Sequence, residues 1–193
     1  ICDQIKSRVN MNLSQRSKIQ DVKVFTHEKF SDNRGAVIKI FNKNKNCDLF
    51  EGIDELKFSY QTLSKRDVLR GFHYQVVKPQ SRLLRVSYGA IYDVILDLRK
   101  SSPTFGKWQA EILTSENPSS IWLPAGVAHA YLVMSEFAVV DVLTNVEYLP
   151  DLQRVIRWNE PSLAIDWPLY ANYPVMVQPI LSDRDQLGVD LSK

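Results

Sequence analysis

Short runs of apolar residues, rich in β-branched and aromatic side chains, recur along the chain and are separated by Gly, Pro, Asn and Asp. Such runs are typical of strands, and only residues 14–20 and the last dozen residues have any helical character. Short strands at this spacing indicate a sandwich, a jelly roll or a barrel. The pattern predicts strands at residues 21–27, 35–41, 57–63, 68–75, 83–89, 90–99, 107–113, 120–124, 127–134 and 137–148.

The segment 90–99 shows the clearest alternation of side chains. One face carries Tyr92, Val94, Leu96 and Leu98, and the other carries Ile91, Asp93, Ile95, Asp97 and Arg99. A face that places Asp93 among apolar neighbours either contacts solvent or forms the part-polar interior of a barrel that holds a ligand. The pattern leaves both possibilities open. We expect the preceding strand to join this one in a tight hairpin at Gly89.

Length and composition predict one globular domain. The chain has 193 residues, of which 45% are hydrophobic and 24% are charged. Its net charge of +2 gives no reason to expect nucleic acid or a membrane as a partner. Two cysteines and no apolar leader favour a cytoplasmic location. Because Met11 opens a typical start, we expect residues 1–10 to be an upstream or disordered extension, and residues 11–193 to form the domain.

Three histidines, His27, His73 and His129, limit the chemistry. No His-x-His pair exists for a barrel metal site, so metal catalysis is not expected. The chain also has no Gly-x-Ser-x-Gly turn and no glycine-rich phosphate loop. Histidine, aspartate, tyrosine and arginine remain, and these side chains perform acid–base chemistry on anionic ligands.

The stretch "GFHYQ" places His73 in a predicted strand, either as a hydrogen-bonded core residue or as a base that faces a cavity. Arginines occur near it or at strand entries: Arg34, Arg70, Arg82 and Arg85. Guanidinium groups bind diphosphate oxygens bidentately, although any one of these could simply be a surface charge. The residues alone indicate a β-barrel with a possible site around this histidine.

Six stretches together resemble the deoxysugar-nucleotide epimerases, of which dTDP-4-dehydrorhamnose 3,5-epimerase is the type. They are "SDNRG" (31–35), "VLRGFHYQ" (68–75), "SRLLRVSYGAIYDVILDLRKSSPTFGKW" (81–108), "WLPAGVAHAYLVMSE" (122–136), "RVIRWNEPSLAIDWP" (154–168) and "LSDRD" (181–185). The resemblance implies an all-β, cupin-like jelly-roll barrel with short peripheral helices, which forms a homodimer and uses no metal or other cofactor. It implies an epimerase of nucleotide-diphospho-4-keto-6-deoxy sugars, in cell-surface polysaccharide (O-antigen type) synthesis.

The resemblance also implies roles for individual residues. His73 matches the family's base, and Asp185 matches the carboxylate that orients it. Arg82 replaces a lysine near the keto oxygen and keeps its positive charge. Arg34 and Arg70 match positions near the diphosphate, and His129 matches a second active-site histidine. Further contacts with the substrate are expected from Tyr148, Lys39, Phe58 and Tyr60.

Three departures from the family change the expected reaction or the expected nucleobase. Val142 stands where the family has a tyrosine acid, so inversion would depend on water or on another hydroxyl, such as Tyr148 or Tyr131. We therefore expect reaction at C3 or C5 rather than at both. Polar or acidic positions that accompany thymine recognition are replaced by Phe58, Tyr60 and Lys39, which predicts a different nucleobase. The alternatives are a keto-isomerase and a catalytically inactive sugar-nucleotide binding module.

Overall fold

The computed structural model describes residues 18–40, 56–169 and 177–191, so the predicted extension at residues 1–10 lies outside the described residues. One short α-helix, α1 (Asp183–Gln186), and the 3₁₀ turns Pro150–Leu152 and Pro161–Leu163 lie near the C-terminal end. The strands are β1 (Lys23–Thr26), β2 (Glu28–Asp32), β3 (Gly35–Lys39), β4 (Phe58–Lys65), β5 (Leu69–Gln75), β6 (Arg82–Tyr88), β7 (Ala90–Asp97), β8 (Trp108–Thr114), β9 (Ser119–Leu123), β10 (Val127–Val133), β11 (Phe137–Thr144) and β12 (Gln153–Val155).

Two five-stranded antiparallel sheets form the body of the molecule. The first sheet has the order β1-β9-β6-β11-β4, and the second sheet has the order β12-β5-β10-β7-β8. Strands β2 and β3 pair with each other in a separate hairpin. Two facing antiparallel sheets, with most consecutive strands in different sheets, are the arrangement of a jelly roll. The all-β prediction is confirmed.

An apolar cluster between the two sheets holds them together. The first sheet contributes side chains of β6, β9 and β11, and the second contributes side chains of β7, β8 and β10. Fully buried members include Leu84, Ile91, Ile95, Ile121 and Val140. Each such side chain contributes about 1.5–3 kcal/mol of transfer free energy on folding, so this cluster fixes the distance between the sheets.

The second sheet is also covered on its outer face. Residues 161–169 pack there, where Trp167 contacts the rings of Phe72 and Tyr92. Every residue of β7 and of β10 is buried as a result. This settles the alternation in segment 90–99: the face with Tyr92 packs on the C-terminal segment, and the face with Asp93 points into the barrel.

The expected hairpin at Gly89 is wrong. Strands β6 and β7 lie in different sheets, so the chain crosses from one sheet to the other at this glycine. Its φ of +80° lies in the region that favours glycine, and a Cβ there would meet the carbonyl oxygen of Phe137. The strong strand pattern on both sides did not reveal that the two strands have different partners.

Two short strands, β2 and β12, were not predicted, and the expected helix at 14–20 falls mostly outside the described residues. Residues 18–20 at its end are not helical. The helical character of the last dozen residues corresponds to α1, which has a single turn. Among the described residues, no helix is long and apolar enough to cross a bilayer.

Candidate active site

The pairing of β5 with β10 brings the stretches "GFHYQ" and "AHA" together. His73 lies directly opposite His129, and the register then shifts so that Arg70 lies opposite Tyr131. Gly71 allows this irregularity, because its φ is +113° and a Cβ would meet the backbone of His129. The glycine therefore sets the spacing between the two histidine strands.

His73 is held by a carboxylate from the far end of the chain. Its Nε2 lies 2.6 Å from Oδ1 of Asp185, which is only 2% exposed on its side chain, whereas the His73 side chain is 27% exposed. An ionised carboxylate only accepts hydrogen bonds, so Nε2 carries the proton and Nδ1 keeps its lone pair. Among the described residues, no hydrogen-bond partner is present for Nδ1. The arrangement leaves a basic nitrogen available to a ligand.

Asp185 is itself fixed by hydrogen bonds. Ser182 caps α1 by accepting from the backbone N–H of Asp185, and its hydroxyl donates to Oδ2 of the same residue at 2.8 Å. The amide of Gly71 donates to Oδ1 at 3.4 Å. Burial alone would raise the pKa of Asp185, but the bonds from His73 and from these groups lower it below its usual value. The carboxylate is ionised at neutral pH.

His129 forms a second, fully enclosed pair. Its Nδ1 lies 3.0 Å from Oδ1 of Asp93, which is completely buried on the neighbouring strand β7. Burial lowers the pKa of His129, Asp93 opposes this, and the charges of Arg82 and His73 lower it further. The ring is therefore neutral near pH 7. With Nδ1–H donated to the carboxylate, Nε2 can accept a hydrogen bond from a ligand hydroxyl.

Arg82 supplies a buried positive charge from the first sheet. Only 3% of the residue is exposed, and its guanidinium donates to the carbonyl oxygen of His73 at 3.3 Å and to Oε1 of Gln80 at 3.1 Å. Burial lowers the pKa of Arg82, while Tyr60 and Asp93 oppose this, and arginine stays charged in proteins. A cation thus lies beside the histidine pair.

Four further predicted residues lie on β4, on β5 and just after β11. Arg70 donates to the hydroxyl of Ser64 across the sheets at 3.0 Å. Tyr60 and Phe58 are neighbours on β4, with ring centroids 5.9 Å apart. Tyr148 is 45% exposed, and its hydroxyl accepts a hydrogen bond from Arg184. Electrostatic coupling of Tyr60 to Arg82 and to Tyr148 connects these side chains with the buried arginine.

Two other predicted residues, Arg34 and Lys39, show no contact with the histidine pair or with Arg82 among the described residues. Arg34 and Lys39 belong to the β2–β3 hairpin and bind the hairpin's own carboxylates, at 2.6 Å from Asp32 and 3.7 Å from Glu28. The side chain of Arg34 is 85% exposed. Their roles in substrate binding therefore stay predictions.

The third histidine, His27, is remote from the other two. Its Nε2 lies 2.7 Å from the hydroxyl of Ser120, which faces away from the barrel interior. Across residues 18–40, 56–169 and 177–191, no three side chains of His, Cys, Asp or Glu are grouped so that they could hold a metal.

Comparison with known proteins identifies the family. The family model for dTDP-4-dehydrorhamnose 3,5-epimerase matches residues 16–193. The dTDP-4-dehydrorhamnose 3,5-epimerase of Pseudomonas aeruginosa is 39% identical over 177 residues, which are 90% of this chain and 92% of that protein. The chain belongs to this family.

Solved structures give the same result for the fold of this epimerase. The dTDP-6-deoxy-D-glucose-3,5-epimerase of Legionella pneumophila, in complex with dTDP-4-keto-L-rhamnose, is 32% identical with a TM-score of 0.83, over 92% of this chain and 91% of that chain. A 3'-monoepimerase from Streptomyces bikiniensis, in complex with dTDP-quinovose, is 28% identical with a TM-score of 0.82, over 92% and 87% of the two chains. The cupin-like fold inferred from the resemblance is confirmed.

The departure at Val142 is visible in the structure of this family member. Val142 is 2% exposed, lies in the apolar cluster between the sheets, and pairs with Tyr60 on one side and Leu84 on the other. It has no group that could transfer a proton. The position next to it on β4, however, carries a tyrosine.

Sequence reasoning missed three residues that position this site. Asp93 was noticed but not assigned, since its alternation fitted either solvent or a barrel interior. Ser182 fixes Asp185, and Gly71 sets the approach of the histidine strands. The only signals available were a serine three residues before the aspartate, which is the spacing of a helix cap, and a glycine within a strand.

Proposed function

We propose that this protein epimerises a nucleotide-diphospho-4-keto-6-deoxy sugar in deoxysugar biosynthesis, by proton abstraction next to the ketone. The observation that carries the proposal is the 2.6 Å bond between Nε2 of His73 and the buried Asp185. It leaves Nδ1 as a base whose tautomer is set by an ionised carboxylate. Membership of the epimerase family supports the same reaction class.

The first step removes a hydrogen from the carbon beside the ketone. His73 takes the proton at Nδ1, and the electron pair of the C–H bond moves into the enolate. Negative charge then develops on the keto oxygen, where a preorganised cation is most effective in a site of low dielectric. Arg82 is buried next to His73 and supplies that charge. Asp185 stabilises the imidazolium that forms.

The remaining polar side chains are suited to hold the substrate. Arg70 lies opposite Tyr131 where β5 pairs with β10. Among the described residues its guanidinium donates to Ser64 through Nε, so its remaining N–H groups can bind diphosphate oxygens. His129 is neutral and offers Nε2 to a sugar hydroxyl. We infer that Tyr148 and Phe58 contact the nucleoside end of the ligand and that Arg34 contacts the diphosphate.

We propose that inversion takes place at one carbon rather than at both. C3 and C5 flank the ketone on opposite sides, so one donor must reach two positions to invert both centres. Val142 provides no donor, and the two strands beside it, β4 and β6, each lie about 4.8 Å away in the sheet. A donor displaced by that distance favours one of the two carbons.

The functional unit is proposed to be a homodimer. The β2–β3 hairpin exposes Phe30 by 53% and Val37 by 65%, and these side chains lie on a hairpin outside the two main sheets. Exposed apolar side chains on a projecting hairpin are suited to contact a second subunit. Sedimentation equilibrium of the wild-type protein and of Phe30→Ser would test this. The variant is expected to have the larger dissociation constant for the dimer.

Solvent exchange tests the proposed reaction most directly. The protein is incubated in heavy water with 4-keto-6-deoxyhexoses linked to thymidine, guanosine or cytidine diphosphate, and deuterium in the sugar ring is measured by mass spectrometry. The wild type is expected to incorporate deuterium, and His73→Asn is expected to lose about 10²–10⁴-fold in rate because an amide cannot take the proton. A keto-isomerase would move the carbonyl instead, and a binding module would incorporate no label. Full exchange in His73→Asn would show that another group is the base.

A further inference from the structure

Inversion at a carbon requires groups on two sides of the sugar. In this fold the base belongs to the second sheet, because His73 lies on β5. A proton donor for the other face must therefore come from the first sheet, across the barrel. Arg82 on β6 bonds to the carbonyl of His73 and so marks the part of the first sheet that faces the base. Strands β11 and β4 follow β6 in that sheet.

Few polar side chains point into the barrel from these strands. The buried or half-buried ones on β4, β6 and β11 are Tyr60, Thr62, Ser64, Arg82 and Thr144. Arginine stays protonated in proteins, and threonine and serine hydroxyls do not titrate among protein acids. These hydroxyls also have hydrogen-bond partners. Thr62 bonds to Tyr131, Ser64 accepts from Arg70, and Thr144 donates to a backbone carbonyl. Among the described residues, the hydroxyl of Tyr60 has no hydrogen-bond partner.

The geometry points to Tyr60 as the acid that protonates the enolate on the face opposite His73. This inference rests on the proposed function. Tyr60 is the register partner of Val142, and cross-strand partners have Cβ atoms about 4.5–5.5 Å apart. Val142 on β11 is short and leaves space beside it. The phenol of Tyr60 on β4 can fill that space. Compared with a tyrosine at position 142, the hydroxyl lies one strand away in the same sheet.

The surroundings of Tyr60 suit a proton donor. Burial raises the pKa of its hydroxyl, Arg82 opposes this, and Tyr148 raises it again, so the phenol is protonated at neutral pH. When the proton leaves, the nearby guanidinium stabilises the tyrosinate. The side chain is therefore a neutral acid before the transfer and a paired anion after it.

The step balances without any other reactant. The O–H bond of Tyr60 breaks as the enolate electron pair forms the new C–H bond, and the ketone is restored. His73 holds the proton that was removed, and Tyr60 is left as the anion. Exchange with water then returns one proton to the tyrosinate and removes one from the imidazolium, so the enzyme is regenerated.

Two other tyrosines are less suited. Tyr131 lies on β10, in the same sheet as His73, and its hydroxyl is 2.6 Å from the hydroxyl of Thr62. Tyr148 is 45% exposed, and its hydroxyl accepts from Arg184. The hydroxyl of Tyr131 is therefore engaged by a neighbouring side chain, and that of Tyr148 lies in a half-exposed residue and is held by an arginine.

The test measures exchange and inversion separately in Tyr60→Phe. Incubation in heavy water gives total deuterium by mass spectrometry, and NMR of the product gives the fraction inverted. We expect inversion to fall about 10²–10⁴-fold while exchange stays within about tenfold of wild type, since His73 can return a deuteron to the original face. Tyr88→Phe is the matched control, because Tyr88 lies exposed at the far end of β6 in the same sheet. It should invert normally.

A second variant separates catalysis from structure. Tyr60→Asn should lose inversion. Adding Val142→Tyr should restore it, because the new phenol on β11 projects from the same sheet next to position 60. Wild-type inversion in Tyr60→Phe, loss of inversion in Tyr131→Phe only, or a double variant that exchanges without inverting would each overturn the inference. If the wild type itself incorporates no deuterium, it is the proposed function that fails.

Discussion

Replacing Asp185 by asparagine isolates the contribution of the carboxylate that orients His73. The two side chains have nearly the same shape, so the substitution removes a charge and changes one oxygen into an amide nitrogen. In the wild type, Asp185 accepts from Nε2 of His73 at 2.6 Å, from Ser182 at 2.8 Å and from the amide of Gly71 at 3.4 Å. All three contacts come from donors.

An asparagine cannot satisfy all these donors. If its oxygen faces His73 and Gly71, its NH₂ group faces Ser182, whose hydroxyl must then turn to accept. If its nitrogen faces His73, the histidine must bind it through an unprotonated Nε2, and Nδ1 then carries the proton. The second arrangement removes the base, and the first weakens it because the imidazolium loses its anion.

The expected magnitudes follow from these contacts. A hydrogen bond to a charged group contributes about 1.5–3 kcal/mol and a neutral one about 0.5–1.5 kcal/mol, so the fold should lose about 1 kcal/mol. For a domain of this size that lowers Tm by about 2–4 °C. The rate should fall about 10–100-fold, because the imidazolium loses a charged hydrogen bond of about 1.5–3 kcal/mol and each 1.36 kcal/mol corresponds to about tenfold in rate. That loss is smaller than the one expected for His73→Asn.

Deuterium incorporation measured over a range of substrate concentrations separates binding from proton transfer. We expect kcat to fall and KM to change little, since Asp185 positions the base and does not contact the substrate. Nitrogen-15 NMR of the imidazole should show a proton on Nε2 in the wild type and a mixture of tautomers in the variant. Unchanged kcat together with an unchanged tautomer would refute the reasoning, and restored kcat in Asp185→Glu would support a role for the charge.

Three further outcomes are expected. Gly71→Ala should cost about 2–5 kcal/mol in thermal unfolding, because φ is +113° and the added Cβ meets backbone, whereas Gly106→Ala, with φ +74° and open space, should cost about 1–2 kcal/mol. The bonds that Asp97 receives from Arg99 hold the pKa of its carboxyl far below the usual range, so its stabilisation should be lost as the pH falls below about 4, and Asp97→Asn should flatten Tm against pH there. Calorimetry should show thymidine diphosphate binding no better than guanosine or cytidine diphosphate, as the side chains at Phe58, Tyr60 and Lys39 predict; a clear preference for thymidine would contradict it.

The sequence predicted the strands well where their composition was decisive. Residues 90–99 and 127–134 were assigned within two residues of their observed ends, because both strands are buried on two faces and consist mainly of apolar residues. Strand β12 was missed, since its three residues, Gln153, Arg154 and Val155, have no apolar pattern and pair only with the edge of β5. Such a strand is defined by its neighbour and not by its own composition.

Composition could not predict which strands pair with each other or which distant side chains are in contact. The residues on both sides of Gly89 read as strands, and they are strands, but the hydrogen bonds of β6 and β7 go to different sheets. The bond between His73 and Asp185 joins residues 112 positions apart, and nothing local to either indicates the other. Family resemblance paired these two residues, whereas strand alternation alone left Asp93 undecided between solvent and the barrel interior.

The two sheets divide the chemistry unequally. The second sheet carries His73, His129 and Asp93 on strands that are packed on both faces, so their positions are fixed by the core. The departures at Phe58, Tyr60 and Val142 all lie on β4 and β11, and β4 is an edge strand of the first sheet with alternate side chains exposed. A change at Phe58 or Tyr60 on the edge strand disturbs few neighbours, whereas a change at Val142 or around the histidines would disturb a close-packed core. The fold therefore holds the base in place and leaves the edge strand β4 freer to vary, and this strand carries Tyr60, the acid proposed above.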